Sequence, residues 1–341
     1  MVVSASTAPI SYVLPLRSHA PRADAELCAY LAWLAERAEV IVVDASPPDV
    51  FAAHASAFAG VRHLPLDPAR ATPMGKVGNV LTGIAAARHE RIIIADDDVR
   101  YDDRSLSQVT HALGHADVVR PQNYFTPLNW HAAWDTSRTL LNRLAGGDWP
   151  GTLGVRRSVL LRTNGYDGSA MFENLELVRT VVAAGGTEAL LLDAFVARAP
   201  STTPHFWSQR IRQAYDEFAR PARLAWQLAM LPLLVFAAVR HAWAMIIIAA
   251  LSSIALAEIG RRREKGRSVF PAFTALFAPA WLLERALCSW LAVASRLLWG
   301  GVRYRGGILR HAATPLATLR ARHATAALEP APATAARRRS A

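Results

Sequence analysis

Short apolar runs alternate with stretches of helical periodicity through the first hundred residues of the chain. The apolar runs lie at 11–17, 39–46, 61–66 and 91–98, and the helical stretches at 23–38 and 76–88. The runs are continuous rather than alternating, which is typical of strands that are covered on both faces of a sheet. The pattern therefore predicts an α/β fold with a mostly parallel sheet flanked by helices. Ligands of such sheets bind beyond the carboxyl ends of the strands.

The pattern changes after Pro221, where long apolar segments begin. Residues 224–239 and 242–257 contain no charged side chain. A helix of this length spans about 24 Å at 1.5 Å per residue. That is slightly less than the roughly 30 Å of a hydrocarbon core. We expect two transmembrane helices, joined by a tight turn at Arg240 and His241 on the far side of the membrane.

A third apolar region, residues 269–300, is interrupted by Glu284, Arg285 and Arg296. The loop at 261–267 is strongly basic, so it is expected on the cytoplasmic side. One further crossing would place the arginine-rich tail outside, against this tendency. We therefore expect two crossings plus a re-entrant or interfacial region, with four short crossings as the alternative.

These patterns divide the chain into four parts. We expect a cytoplasmic domain over 1–204, an interfacial helix over 205–221, membrane helices over 222–310 and a basic disordered tail over 311–341. The N-terminus has no basic region followed by a long apolar run, so it does not resemble a signal peptide. The sequence thus predicts a multi-pass protein of the inner membrane with its first domain in the cytoplasm.

Net charge changes this view little. The chain carries a formal charge of +11, and its arginines cluster at 261–267, 303–310 and 337–339. Because these clusters flank apolar segments, anionic lipid at the membrane surface explains them better than nucleic acid does. The cysteines, Cys28 and Cys288, form no disulfide framework or metal-ligand spacing. We expect a membrane partner and no nucleic acid.

The strand at 91–95 ends in three consecutive aspartates. Neighbouring side chains on an extended segment point oppositely, so Asp96 and Asp98 can face one way and Asp97 the other. Carboxylates are the ligands that Mg²⁺ and Mn²⁺ prefer, and such a pair could hold a cation that bridges a diphosphate. The alternative is a solvated turn or a helix cap.

Phosphate-binding loops of the common kinds are missing from the sequence. No G-x-G-x-x-G follows the first strand, and the Gly-Lys pair at 75–76 lacks the rest of a P-loop. Asp44 closes the second strand and could bind a base or ribose, or form an Asx-turn. Lys76 shares the chain with a single other lysine, Lys265. It could place a compact ammonium beside phosphates, or be a chance surface residue.

The ordered series of segments resembles a membrane-anchored family 2 glycosyltransferase. The segments are VVDAS, GKVGNVLTG, IIIADDDV, GTLGVRRSVLLRTNGYDG, FENLELVRTVVAAGG and SQRIRQAYDE, followed by paired apolar helices. The resemblance covers roughly residues 9–310 and is nearest to the ceramide glucosyltransferase-like and processive synthase-like branches. It implies a GT-A domain that binds a nucleotide sugar, a divalent cation (Mg²⁺ or Mn²⁺) and inversion at the anomeric carbon.

The resemblance assigns roles to residues of the first domain. Asp44 resembles the aspartate that holds the nucleotide base, and Lys76 and Asn79 fall in the segment near the nucleotide. Asp96 and Asp98 match the metal-binding D-x-D, with Asp96 also on the donor side.

Further roles follow later in the chain. Glu173 and Asn174 align with a Glu-Asp pair in which the aspartate is the general base. Gln209, Arg210 and Arg212 resemble the Q-x-x-R-W segment that contacts diphosphate and acceptor at the membrane.

The sequence departs from the family pattern at the base. Asn174 stands in its place, and an amide cannot usefully accept a proton at neutral pH. Glu173, Glu176 or Asp167 would have to serve instead, and we expect Glu173. Gln213 replaces the family's Trp, which disfavours a growing polysaccharide as the acceptor.

The resemblance implies an inverting, metal-dependent hexosyltransferase. We expect it to move a sugar from a nucleoside-diphosphate sugar to a lipid or lipid-linked acceptor of the cell envelope. Alternatives are a catalytically inactive family member that acts as a membrane assembly partner, and a sugar nucleotidyltransferase.

Overall fold

The computed structural model describes residues 9–21, 25–304 and 306–328. Part of the tail that was expected to be disordered lies outside these residues. Another part, Leu316–Leu328, is a helix, which its alanine-rich composition favours.

The centre of the molecule is an eight-stranded sheet. Its strands are β1 (Ile10–Leu16), β2 (Glu39–Asp44), β3 (Arg62–Pro65), β4 (Arg91–Ala95), β5 (Val99–Arg100), β6 (Val118–Phe125), β7 (Thr152–Arg156) and β8 (Glu188–Arg198). They lie in the order β3-β2-β1-β4-β7-β6-β8-β5. The first four of these are parallel, β7 is antiparallel to both of its neighbours, and β8 is parallel to β6.

Helices cover both faces of this sheet. In the first 220 residues they are α1 (Ala25–Ala35), α2 (Pro48–Ala57), α3 (Gly75–Ala86), α4 (Asp103–Ala112), α5 (Trp130–Asn142), α6 (Arg157–Arg162), α7 (Glu173–Ala183) and α8 (Thr203–Tyr215). Alternate residues of one strand enter different cores. Val13 and Ile92 pack in one buried cluster, and Tyr12 and Ile93 in the other. The predicted fold class, the first four strands and the first and third helices are confirmed.

The last part of the chain contributes α9 (Pro221–Val239), α10 (Trp243–Arg262), α11 (Ala278–Trp299), the hairpin strands β9 (Val302–Tyr304) and β10 (Gly307–Leu309), and α12 (Leu316–Leu328). In the described residues, three helical stretches are long and apolar enough to cross a membrane. They are Pro221–Val239, Trp243–Ser268 and Ala272–Trp299.

Helices α9 and α10 form a hairpin whose far half projects from the molecule. Apolar side chains of this half are largely exposed, for example Phe236 at 64% and Ile248 at 62%. The predicted turn at Arg240 and His241 is present, with His241 in the left-handed region at φ 53°. An exposed apolar hairpin of this kind is typical of a segment that enters a membrane.

Helix α11 instead lies along the surface of the first domain. Its inward residues are Ala278, Trp281, Arg285, Cys288, Ser289 and Ala292. Its outward residues are apolar and exposed, among them Leu283, Leu287, Leu291 and Leu298. Both halves of the helix contact the domain, because Glu284 Oε2 accepts from Trp134 Nε1 and the Arg296 guanidinium stacks on Phe218. One continuous helix fits an interfacial segment and leaves no turn for two short crossings.

After α11 the chain returns to the sheet domain. The carbonyl oxygens of His311 and Ala312 accept from the amides of Met171 and Phe172, each at 2.8 Å. The Tyr215 hydroxyl donates to the Arg310 carbonyl at 2.8 Å. Segments that precede and follow the apolar helices in the chain therefore build one packed unit.

Candidate active site

The carboxyl ends of β1 and β4 open onto two cavities that share a wall. We name them the strand-end cavity, of about 330 Å³, and the arginine-lined cavity, of about 380 Å³. Residues that line both are Asp96, Asp97, Glu173, Arg198, Gln209, Gln213 and Asp216. We call these residues the shared wall. Four are acids, so the chemistry of this wall suits metal binding and proton transfer.

Cations from distant parts of the chain hold the acids of the shared wall. Lys76 Nζ lies 2.6 Å from Asp96 Oδ1 and 2.7 Å from Glu173 Oε1. Arg198 Nε lies 3.0 Å from Asp98 Oδ2, and its Nη2 lies 3.4 Å from Asp96 Oδ2. Burial alone would lower the pKa of Lys76, but Asp96 and Glu173 outweigh it and raise that pKa. Lys76 therefore stays charged and fixes both carboxylates.

The predicted cation site at Asp96 and Asp98 stays a prediction, and the positions of the two carboxylates are compatible with it. Both carboxylates contact the same guanidinium, that of Arg198, so they face one region. Asp98 Oδ1 is buried and has no hydrogen-bond partner among the residues that the structure describes. A buried, unpaired carboxylate oxygen beside a second carboxylate fits a divalent cation.

The position of Asp97 differs from the prediction, in which its side chain faced away from Asp96 and Asp98. Asp97 also lines both cavities, because the triplet forms a turn rather than a continued strand. The Val99 amide donates to the Asp96 carbonyl at 3.1 Å, so the alternation of an extended segment does not apply here.

Asp44 lies at the end of β2, as predicted, but it is buried and lies outside the lining of both cavities. Its Oδ2 lies 2.7 Å from His54 Nδ1 and 3.1 Å from His63 Nε2, and its Oδ1 accepts from the Ser46 amide. Burial would raise the pKa of Asp44, but these hydrogen bonds outweigh it and lower that pKa. The three side chains could also ligate a metal ion. The base-binding role of Asp44 stays a prediction.

Asn79 lines the strand-end cavity from α3. Its Nδ2 donates to the carbonyls of Leu16 at 2.9 Å and Val43 at 3.1 Å. The side chain thus ties together the carboxyl ends of β1 and β2 and shapes the floor of the cavity.

Asn174 and the alternative bases occupy different positions. Asn174 Nδ2 donates to the Pro150 carbonyl at 2.9 Å. Glu176 is buried and accepts from the Thr314 amide, and Asp167 accepts from the Ser169 amide. Neither Glu176 nor Asp167 lines a cavity, so Glu173 is the member of the predicted trio that reaches the shared wall.

Helix α8 places several polar residues along the cavities. Gln209 and Gln213 belong to the shared wall, and Arg212 lines the strand-end cavity, with its guanidinium 5.6 Å from the Tyr304 ring centroid. Arg210 lines the arginine-lined cavity, but both of its terminal nitrogens bind the buried Asp135 at 2.7 and 3.0 Å. That pair holds α8 against α5.

Sequence reasoning missed Arg198 and Asp216. Arg198 ends β8 and resembles any other arginine of this arginine-rich chain. Asp216 follows α8, and no motif marks it. A carboxylate in the SQRIRQAYDE segment, to which the resemblance assigns diphosphate and acceptor contacts, was the one available signal.

Comparisons with known proteins agree with this site. Residues 25–170 match the model of Glycosyl transferase family 2. This region, which contains the acidic triplet and Lys76, is thus similar to a family 2 glycosyltransferase domain, in agreement with the predicted resemblance. No curated protein sequence matches the chain significantly.

Similar solved structures include three glycosyltransferases. The mannosyltransferase PcManGT from Pyrobaculum calidifontis, in complex with GDP-Man and Mn²⁺, is 17% identical, with a TM-score of 0.45 over 95% of this chain and 84% of that one. TarS residues 1–349 from S. aureus, in complex with UDP-GlcNAc, is 13% identical, with a TM-score of 0.39 over 59% of this chain and 61% of that one. Glucosyl-3-phosphoglycerate synthase from Mycobacterium tuberculosis, with Mn²⁺ and UDP-Glc, is 14% identical, with a TM-score of 0.41 over 58% and 74%.

Proposed function

We propose that this protein is an inverting, metal-dependent glycosyltransferase of the cytoplasmic membrane face. It would move a hexose from a nucleoside-diphosphate sugar to a lipid or lipid-linked acceptor of the cell envelope. The observation that carries the proposal is the pair of cavities, which meet at a wall of acids while the membrane-facing elements form the far side of one cavity.

The strand-end cavity suits the nucleotide of the donor. It is lined by Lys76, Asn79 and Arg212, with Tyr304 as an aromatic wall. An ammonium and a guanidinium complement a diphosphate. Asp44, at the end of β2 behind this cavity, would contribute to base recognition.

Asp96 and Asp98 would hold Mg²⁺ or Mn²⁺. When bound, the cation neutralises the charge of the departing diphosphate. Gln209 and Arg210 of α8 line the arginine-lined cavity together with Asp96 and Asp98. Gln209 would contact the sugar or the acceptor, and Arg210, which is paired with Asp135, would fix the position of α8.

The arginine-lined cavity suits the acceptor, because membrane-facing elements build its wall. Trp281 and Arg285 of α11 and Arg223 of α9 line it. The outward faces of these two helices are apolar and exposed. An acceptor with an apolar tail can therefore remain in lipid while its polar end reaches the shared wall.

Transfer in this site is a single displacement. The acceptor hydroxyl attacks the anomeric carbon, and the bond from that carbon to the diphosphate oxygen breaks. The electron pair leaves with the nucleoside diphosphate, whose charge Lys76 and Arg212 help to stabilise. The hydroxyl proton needs a base, and the shared wall offers Glu173 and Asp216 outside the acidic triplet.

Membranes that contain the protein should be incubated with a panel of labelled nucleotide sugars and Mn²⁺, and then extracted with organic solvent. We expect label from one donor in the organic phase. Asp98→Asn should lower this transfer at least about 100-fold, because it removes one metal-binding carboxylate. Asp103→Asn, which changes an exposed acid paired with Arg37, is the matched control. Full activity of Asp98→Asn would remove the D-x-D from the mechanism.

Because Asn174 stands where the family has its general base, one alternative is an inactive family member that acts as a membrane assembly partner. The purified protein should then release no nucleoside diphosphate from any donor. Release that Mn²⁺ stimulates would reject this alternative, and release of pyrophosphate would instead support a nucleotidyltransferase.

A further inference from the structure

We propose that Asp216 is the general base of this enzyme and accepts the proton of the acceptor hydroxyl. The inference rests on the proposed function and names the proton acceptor that the substitution at Asn174 leaves undefined.

The position of Asp216 meets the first requirement of a base, which is access to donor and acceptor together. Asp216 begins a short 3₁₀ turn, Asp216–Ala219, between α8 and α9. It lines both the strand-end cavity and the arginine-lined cavity. A hydroxyl entering from the membrane side and an anomeric carbon entering from the strand ends would meet at this wall.

The competing carboxylate is already engaged. Glu173 Oε1 accepts from Lys76 Nζ at 2.7 Å, so Glu173 orients the lysine that also holds Asp96. Asn174 uses its amide to donate to the Pro150 carbonyl. By contrast, Asp216 Oδ1 is buried and has no hydrogen-bond partner within the described part of the chain. A buried carboxylate oxygen without a donor is costly for folding alone, and a substrate hydroxyl would satisfy it.

Charged groups from several elements surround Asp216. They are Glu173 of α7, Glu217 of its own turn, Arg220 before α9, and Arg285 of α11, with Arg198 of β8 in the same wall. Burial raises the pKa of Asp216 most, and the charge of Glu173 raises it further against a smaller opposing effect of Arg220. A carboxylate whose pKa is moved toward the working pH is a stronger base than an ordinary aspartate.

Groups in the site account for every proton and electron pair in this step. The acceptor oxygen forms its bond to the anomeric carbon while its proton passes to the Asp216 carboxylate. The bond to the diphosphate oxygen breaks, and its electron pair leaves with the nucleoside diphosphate. Asp216 returns its proton to water after the products leave.

The test compares Asp216→Asn, Asp216→Glu and Glu173→Gln, with Asp49→Asn as a control at an exposed acid of α2. Transfer is measured with the donor that the panel assay identifies. We expect Asp216→Asn to lower turnover about 100- to 10,000-fold, the usual contribution of a general base. Binding of UDP and GDP with Mn²⁺, measured by calorimetry, should stay within about twofold, since the base does not hold the nucleotide. Asp216→Glu should keep part of the activity, because it restores a carboxylate.

Two further readouts separate a base from a structural residue. The wild-type rate should rise with pH as Asp216 loses its proton, and this acid limb should vanish from the residual activity of Asp216→Asn but remain in Glu173→Gln. Folding raises the pKa of Asp216. The stability of the folded protein therefore falls as the pH rises from the ordinary aspartate pKa to this raised pKa. Asp216→Asn should therefore melt at an equal or higher temperature than the wild type at pH 8.

Wild-type turnover in Asp216→Asn, or loss of the acid limb only in Glu173→Gln, would overturn the assignment. Absence of transfer by the wild type with every donor would instead reject the proposed function, and the base with it. The two failures are therefore distinguishable.

Discussion

Gly151 lies where the main chain passes closest to the acids of the shared wall. Its amide donates to Asn123 Oδ1 at 2.7 Å, and its carbonyl accepts from the Asp96 amide at 2.9 Å. A Cβ at this position would lie 2.9 Å from Asp96 Oδ2 and 3.0 Å from the Arg198 guanidinium carbon. The absence of a side chain therefore leaves room for the Asp96 carboxylate and the Arg198 guanidinium.

Gly151→Ala should displace the ends of these two flexible side chains rather than unfold the protein. We expect transfer to fall at least about tenfold, since small misplacements of reacting groups are costly. The melting temperature should change by only a few degrees. Gly307→Ala, whose Cβ would meet its nearest atom at an ordinary 3.6 Å, is the control. Unchanged transfer in Gly151→Ala would show that the acids tolerate this displacement.

Single residues were predictable from sequence when a local pattern marked them. Asp96, Asp98 and Lys76 follow strand ends or stand out by type, and the structure brings them together. Arg198 and Asp216 act through contacts across the fold. Arg198 meets Asp98 over a separation of 100 residues, which no local pattern reports.

At the scale of elements, buried apolar strands were the easiest to predict. Strands β1, β2 and β4 are mostly continuous apolar runs, and the structure places β1 between the other two. Strand β6 contains Arg120, Gln122 and Asn123, all of them buried. Its polar side chains find partners from β8 and distant loops, as when Arg120 pairs with Glu188 at 2.9 Å. Hydrophobic pattern alone cannot identify such a strand, because its burial depends on those partners.

The location of the tip of the α9–α10 hairpin relative to the membrane can be tested. Its tip carries Arg240, and an arginine in the bilayer centre is costly, whereas one that reaches the far headgroups is not. In a variant with Cys28→Ser and Cys288→Ala, His241→Cys should react with a membrane-impermeant maleimide in intact cells.

The matched control for this labelling is Glu36→Cys, at an exposed position of the sheet domain. It should react only after the membrane is permeabilised. If the cysteine at position 241 also needs permeabilisation, the tip of the hairpin does not reach the far side of the membrane.

At the scale of the whole molecule, both cavities depend on residues beyond the first apolar helix. Tyr304 lines the strand-end cavity, and Trp281 and Arg285 line the arginine-lined cavity. Cys288, Ala292, Val302 and Leu309 are buried in the same cluster as residues of β1 and β4. The sheet domain and the membrane segments are therefore parts of one structure.

A chain ended after Arg220 should consequently bind neither UDP nor GDP with Mn²⁺ and should aggregate, because it exposes the apolar surface that α11 and the β9–β10 hairpin cover. A chain ended after Leu328 keeps every described residue and should bind as the full chain does. Calorimetry and size-exclusion chromatography measure both outcomes. A soluble, nucleotide-binding chain of 220 residues would contradict this view.

Because residues 302–314 return to the sheet domain, they also determine when the site can form during synthesis. During synthesis the sheet domain leaves the ribosome first, yet the hairpin with Tyr304 follows only after the apolar helices have emerged. A nascent chain therefore cannot complete its strand-end cavity before the apolar helices have left the ribosome. The sugar transfer that we propose would accordingly begin only after these helices have been made.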